Sequence, residues 1–143
     1  MSTTSGTPRT GVLVMAYGTP TSTDQLEAYY THIRRGRPPE PHQLEDLRAR
    51  YDALGGLSTL AQRTADQVEA VRRALDEFAP DRFVVALGQK HAAPFIEDGA
   101  ETLRDAGVSS VVGLVLAPHY SGFSVGQYHQ RAADALGATP FDG

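Results

Sequence analysis

Apolar and polar positions alternate along the chain in blocks of two kinds: short unbroken apolar runs, and longer stretches with an apolar residue every third or fourth position. Residues 11–17 (GVLVMAY) form a run with no polar interruption, stopped by Gly18-Thr19-Pro20, which predicts a strand buried on both faces. Residues 82–87 (RFVVAL) and 110–117 (SVVGLVLA) predict two more strands. Between these runs the period changes to that of helices. Ser22 and Gln25 have the S-x-x-Q spacing of a capping box, and Leu26, Tyr29, Tyr30 and Ile33 follow at helical spacing until residues 34–39 (RRGRPP) break it. A second helix is expected over about 41–54, with Leu44, Leu47, Tyr51 and Leu54 on one stripe and Gly55-Gly56 as its stop. Ser58 is placed to cap a third, long helix whose apolar face runs through Leu60, Val68, Val71, Leu75 and Phe78 until Pro80. Residues 94–106 (Phe95, Ile96 and Leu103 inward) and 124–136 complete the helical set.

Apolar strands alternating with helices predict an α/β fold with a parallel sheet flanked by helices. In such sheets the ligand crevice lies beyond the carboxyl ends of the strands. Three stretches fall there: Tyr17-Gly18-Thr19-Pro20, Gly88-Gln89-Lys90-His91 and Pro118-His119-Tyr120-Ser121. Residues 1–10 carry Ser, Thr, Gly and Pro without periodicity and read as a disordered tail, leaving 11–143 as one domain. The last helix closes near Gly137, where another strand is expected, so the domain reads as truncated.

At 143 residues the chain has room for one domain with its own core. It has no cysteine, which excludes disulfides, thiolate catalysis, Cys-ligated zinc and an iron–sulfur cluster held by this stretch. The net charge of −4 argues against a nucleic-acid binder. No apolar run approaches the roughly 18 residues of a membrane span, and the start does not resemble a secretory signal, so a cytoplasmic protein is expected. Nucleotide fingerprints are missing too. There is no G-x-x-x-x-G-K-[ST], and the first strand–helix turn has a proline where backbone N–H groups would cradle phosphate.

The remaining chemistry is aromatic and basic. His91 and His119 share the strand-end crevice, where a hydrogen-bonded loop histidine is a commoner outcome than a metal-facing one; His32 and His42 read as solvent-facing. Tyr17 is open between two readings, a core tyrosine with a satisfied hydroxyl or a phenol pointing into the crevice. Arg34, Arg35 and Arg37, with Arg48 and Arg50, run against the acidic average, and Tyr29, Tyr30, Ile33 and Tyr51 interleave with them. Apolar and aromatic faces beside guanidinium forks suit a flat apolar ligand edged with carboxylates. The only lysine, Lys90, stands apart from this cluster in the sequence.

The segments GVLVMAYGTP, YYTHIRRGRPPEP, LRARYDALGGLSTLAQRT, KHAAPFIEDGA and VLAPHYSGFSVGQYHQRA, in that order, resemble the N-terminal domain of ferrochelatase, most closely its bacterial coproporphyrin branch. The resemblance runs from about residue 11 to the end of the chain. It implies a Rossmann-like domain, the first of two facing each other across a porphyrin cleft. It also implies insertion of Fe²⁺, as a substrate, into coproporphyrin III, with protoporphyrin IX as the other candidate, in heme biosynthesis. By this resemblance Tyr17 is the catalytic residue and an axial ligand to the metal in the macrocycle. Arg34 contacts a propionate, and Arg50, Tyr51, Ser58 and Tyr128 contact the porphyrin; Tyr30, Ile33 and Arg35 line the same cleft. The family's histidine and glutamate iron ligands belong to the second domain and are not in this chain. No cofactor is implied here, although some relatives carry a [2Fe–2S] cluster on cysteines beyond this stretch. Two other readings stand beside this one: a porphyrin-binding but catalytically incomplete fragment, and a small homodimeric chelatase. Tyr17 counts against the latter, because small chelatases usually place histidine at the end of the first strand.

Overall fold

A computed structural model describes residues 8–53, 55, 57–116 and 125–137, without the side chains of residues 23, 57, 58 and 60. Strand β1 (Thr10–Ala16) is followed by helices α1 (Leu26–Ile33), α2 (Pro41–Ala53) and α3 (Leu57–Phe78). Strand β2 (Phe83–Gln89), helix α4 (Ile96–Asp105), strand β3 (Ser110–Val115) and helix α5 (Val125–Leu136) complete the order. The three strands form one parallel sheet in the order β2-β1-β3, with Val12 beside Val85 and Val112. This is the expected α/β architecture.

The unbroken apolar run makes β1 the central strand, because only there are both faces and both edges covered. Val12 and Val14 point to one side and pack with Val68, Val71 and Leu75 of α3. Leu13 and Met15 point to the other and pack with Ile96 and Leu103 of α4 and Tyr128 and Ala132 of α5. Helix α4 lies unusually close to the sheet at Gly99. A Cβ there would stand 2.6 Å from the carbonyl oxygen of Leu87, so only glycine allows the approach. Leu44, Leu47 and Tyr51 of α2 pack on Leu26 and Tyr29 of α1 in a separate small cluster, as their stripe predicts.

Several expectations are corrected. The helices do not flank the whole sheet: in β3 Val112 is 55% and Leu114 39% exposed, because among the described residues α3 covers β1 and β2 but stops short of the third strand. Arg9 and Thr10 are part of the fold and not of a tail: Ser109 N–H donates to the Arg9 carbonyl (2.9 Å) and Thr10 N–H to that of Arg82 (2.9 Å). Gln25 reaches back one residue further than a capping box requires. Its Oε1 accepts from the backbone N–H (3.0 Å) and hydroxyl (3.1 Å) of Thr21, and a 3-10 turn at Thr23–Gln25 intervenes before α1. Helix α3 begins at Leu57, so Ser58 lies inside its first turn and not at the cap. Helix α4 starts at Ile96, where Phe95 N–H donates to Asp98 Oδ2 (2.8 Å). The stretch Pro118-His119-Tyr120-Ser121, Leu54, Gly56 and residues 1–7 lie outside the described residues.

Candidate functional site

The carboxyl ends of β1 and β2 leave the sheet side by side, because parallel pairing continues into both loops. Lys90 N–H donates to the Ala16 carbonyl (2.9 Å), and His91 N–H to that of Tyr17 (3.0 Å). Gly18 then turns the chain with φ of +97°, where a side chain would be strained and a Cβ would stand 3.0 Å from Ala92 N. The turn is held from α1, whose buried Tyr29 donates its hydroxyl to the Gly18 carbonyl at 3.0 Å. Burial raises the Tyr29 phenol far above its ordinary pKa, with the adjoining Tyr51 hydroxyl adding to the effect, so the donor stays protonated.

Tyr17 caps this arrangement. It is 48% exposed, which decides between the two readings of the sequence in favour of a phenol facing outward from the strand end. Its ring meets that of His91 edge-on, with centroids 4.7 Å apart and planes at 63°. His91 in turn meets His32 of α1, Nδ1 to Nδ1, at 2.8 Å, and the His32 ring lies 5.5 Å from that of Phe95. Burial lowers the His91 pKa to about 4, helped by the neighbouring His32, Lys90 and Arg131, so this imidazole is neutral at pH 7. The Tyr17 phenol is raised, first by burial and then by Tyr51. It therefore meets a ligand as a neutral hydroxyl, and would release its proton only to a strong electrophile such as a metal ion.

Tyr128 of α5 is buried, its phenol raised by that burial and then by Tyr17. Lys90 Nζ stands 5.4 Å from the Tyr128 ring centre and donates to Gln127 Oε1 at 2.7 Å. Burial lowers the Lys90 pKa, with Arg131 and Arg35 adding to it. Arg131 is fixed by a two-pronged contact with Glu97 (2.5 and 2.9 Å) and donates to the Lys90 carbonyl at 2.8 Å, tying α5 to α4 and to the loop after β2.

The other sequence-derived residues divide. Arg34 is anchored: Nη1 donates to the Pro38 carbonyl (3.1 Å) and Gln43 Oε1 (3.0 Å), and the guanidinium lies 5.7 Å from the Tyr30 ring centre. Among the described residues its Nε and Nη2 have no partner, which leaves three N–H donors on two nitrogens for an anion. Arg35 sits at the end of α1 with φ of +57°. Ile33 and Tyr51 pack into the α1–α2 cluster. Arg50 is exposed on α2 and makes no hydrogen bond or ion pair among the described residues. The Ser58 side chain lies outside the described residues. Sequence reasoning placed Tyr29 on the apolar stripe and among the aromatics beside the arginines but missed its bond to Gly18, and it read His32 as solvent-facing. The one available signal for His32 was its place two residues before the basic break.

An open cavity of about 730 Å³ lies along the face of α1 opposite its core stripe, lined by Asp24, Glu27, Thr31 and Arg35, and His32 also borders it. It lacks the aromatic floor of the Tyr17 group. Among the described residues no three His, Cys, Asp or Glu side chains converge as a metal site. The arrangement at Tyr17 is instead that of an aromatic shelf with Lys90 and Arg131 beside its His91 and Tyr128 members, suited to a flat ligand carrying acidic substituents.

The family model described as Ferrochelatase matches residues 9–141. The chain is 52% identical over 126 residues to the coproporphyrin III ferrochelatase of Geobacillus kaustophilus, covering 87% of this chain and 40% of that protein. It is 49% identical over 125 residues to the coproporphyrin III ferrochelatase of Bacillus subtilis, with the same two coverages. To that of Staphylococcus aureus it is 49% identical over 127 residues, covering 88% of this chain and 41% of the relative. The chain thus spans about 40% of the length of the curated relatives it matches.

Proposed function

The chain belongs to the ferrochelatase family, and from that premise we propose that it supplies one wall of a cleft in which Fe²⁺ is inserted into coproporphyrin III. The observation that carries this reading is the Tyr17 phenol, half-exposed at the end of a central strand buried from Gly11 to Ala16, with its ring edge-on to that of His91. The names of the relatives favour coproporphyrin III as the substrate.

Insertion exchanges one Fe²⁺ for the two inner N–H protons of the macrocycle, so the protein must hold the ring, orient it and give the protons a path. On this wall Tyr17 faces the ring centre, its neutral phenol able to approach without charge and to act as an axial oxygen donor once metal is present. Arg34 offers Nε and Nη2 to a propionate while Pro38 and Gln43 hold its other end, which limits the entropy lost on binding. Tyr30, Ile33, Arg35, Arg50, Tyr51 and Ser58 complete the porphyrin wall. Tyr128 contributes through the Lys90 ammonium it carries, since its own ring is buried. The metal-side histidine and glutamate of the family, and with them the base for the two protons, belong to a second domain. Among the described residues no helix is long and apolar enough to cross a membrane, and the reading assigns the reaction to the cytoplasm.

Titration of the chain with coproporphyrin III, then with Fe²⁺ under anaerobic conditions, tests this. The expected result is a saturable Soret shift, with metalation only after the remaining part of a family-length chain is added. No Soret change overturns the reading, and metalation by this chain alone in proportion to dimer formation replaces it with a homodimeric chelatase. Arg34→Ala removes a charge-assisted contact of about 1.5–3 kcal/mol, so coproporphyrin affinity should fall roughly 10- to 100-fold. Unchanged affinity removes the propionate role.

A further inference from the structure

The contact between His32 and His91 has a geometry that defines what it is. The two Nδ1 atoms are 2.8 Å apart and the ring centres 5.1 Å apart. The second distance is the first plus about one ring radius at each end, so the two nitrogens face each other head-on. A metal ion cannot sit between them, because two metal–nitrogen bonds of about 2.0–2.1 Å would not fit head-on into that gap. The contact is an N–H···N hydrogen bond, and it demands complementary tautomers: one ring carries its proton on Nδ1, the other on Nε2.

We propose that His32 is a positioning residue for Tyr17, acting through His91. The His91 backbone is fixed by its bond to the Tyr17 carbonyl, but that bond leaves its ring torsion broad. The His32 contact removes that freedom, and the edge-on face of His91 then sets the plane of the Tyr17 ring. Among the described residues the Tyr17 hydroxyl has no hydrogen-bond partner, so this ring contact is the restraint on the phenol's direction. His32 is itself steadied by Phe95, at the start of α4. Helices α1 and α4 thus act together, through two imidazoles, on a phenol that belongs to neither.

The consequence for iron rests on the porphyrin reading above; the geometric claim does not, and the two are separable by experiment. Three variants of the chain are compared with wild type: Tyr17→Phe, His32→Leu, and His32→Asn, whose amide reaches the position of Nδ1. His32 is exposed, so neither substitution at 32 opens the core. Aromatic NMR without ligand reads the geometric claim. In wild type one of the two histidines shows a protonated Nδ1 and the other a protonated Nε2, and Tyr17 protons carry the ring-current shift of an adjacent imidazole. His32→Leu should abolish that shift and His32→Asn should retain it; an unchanged Tyr17 spectrum in His32→Leu overturns the proposal. Iron(III) coproporphyrin is the second probe. His32→Leu should displace the charge-transfer band of the phenol-ligated iron and weaken binding about threefold to tenfold, with rescue by His32→Asn. Binding of metal-free coproporphyrin should change less than twofold. If Tyr17→Phe alters the iron spectrum and His32→Leu does not, positioning by His32 is overturned. If Tyr17→Phe leaves the spectrum unchanged, axial ligation fails instead, and the NMR comparison still decides the role of His32.

Discussion

One hydroxyl holds the turn on which the site is built. The Gly18 carbonyl, at a position with φ of +97°, accepts from the buried Tyr29 phenol. Tyr29→Phe should keep the ring packed against Leu26 and Tyr51 but leave that carbonyl without its donor. The expected loss is about 1–3 kcal/mol in urea unfolding, and a change within about 0.3 kcal/mol would mean that the turn does not depend on the contact. The places of Tyr17 and His91 at neighbouring strand ends were legible because apolar runs locate strand ends, and strand ends locate the crevice of a parallel sheet. The contacts of Tyr29 and His32 were not. Helical spacing says that Tyr29 faces the core, but not that its hydroxyl finds a backbone carbonyl eleven residues earlier. Nor can spacing bring His32 to a ring 59 positions away.

At the level of elements, β1 is buried on both sides, whereas β3, nearly as apolar in sequence, is half-buried on one side and exposed on the other. Leu13 is fully buried against α4 and α5, so Leu13→Ala should cost about 2–5 kcal/mol by opening a cavity. Val112, its side chain on the face that α3 leaves open, should tolerate the same truncation to within about 0.5 kcal/mol. Paired unfolding curves of the two variants check the asymmetry; similar losses would mean that the outer face of β3 is covered in solution. Existence and order of the helices and strands were legible, because periods of 3.6 and runs of unbroken apolar residues are local signals. The partial cover of β3 was not. An apolar strand reads alike whether its second face meets a helix or not, and only the placement of α3 over β1 and β2 distinguishes the cases.

For the molecule as a whole, two groups make stability depend on pH in the same direction. The imidazole of His91 titrates at about 4 when folded against 6.5 ordinarily, so between those values the unfolded chain binds more protons. Stability is therefore full above about pH 6.5 and falls as pH drops toward 4. Glu97 acts lower: hydrogen bonds from Arg131 hold its carboxyl below the usual 4.5, so its contribution is lost as pH falls through that lowered value. Thermal unfolding followed from pH 7.5 to 3.5 should show both windows, and His91→Gln should flatten the upper one alone. An unaltered profile in that variant would assign the upper window to another group. Local patterning and the order of motifs were enough to determine the α/β class, the strand ends and the family, because each is written in neighbouring residues or in long segments that survive divergence. Only the tertiary structure decided that Tyr17 faces outward, that Tyr128 is buried beneath Lys90, and that His32 and Tyr29 of one helix grip the ends of two strands. These are contacts between residues far apart in the chain, and they exist only once the sheet and helices have packed.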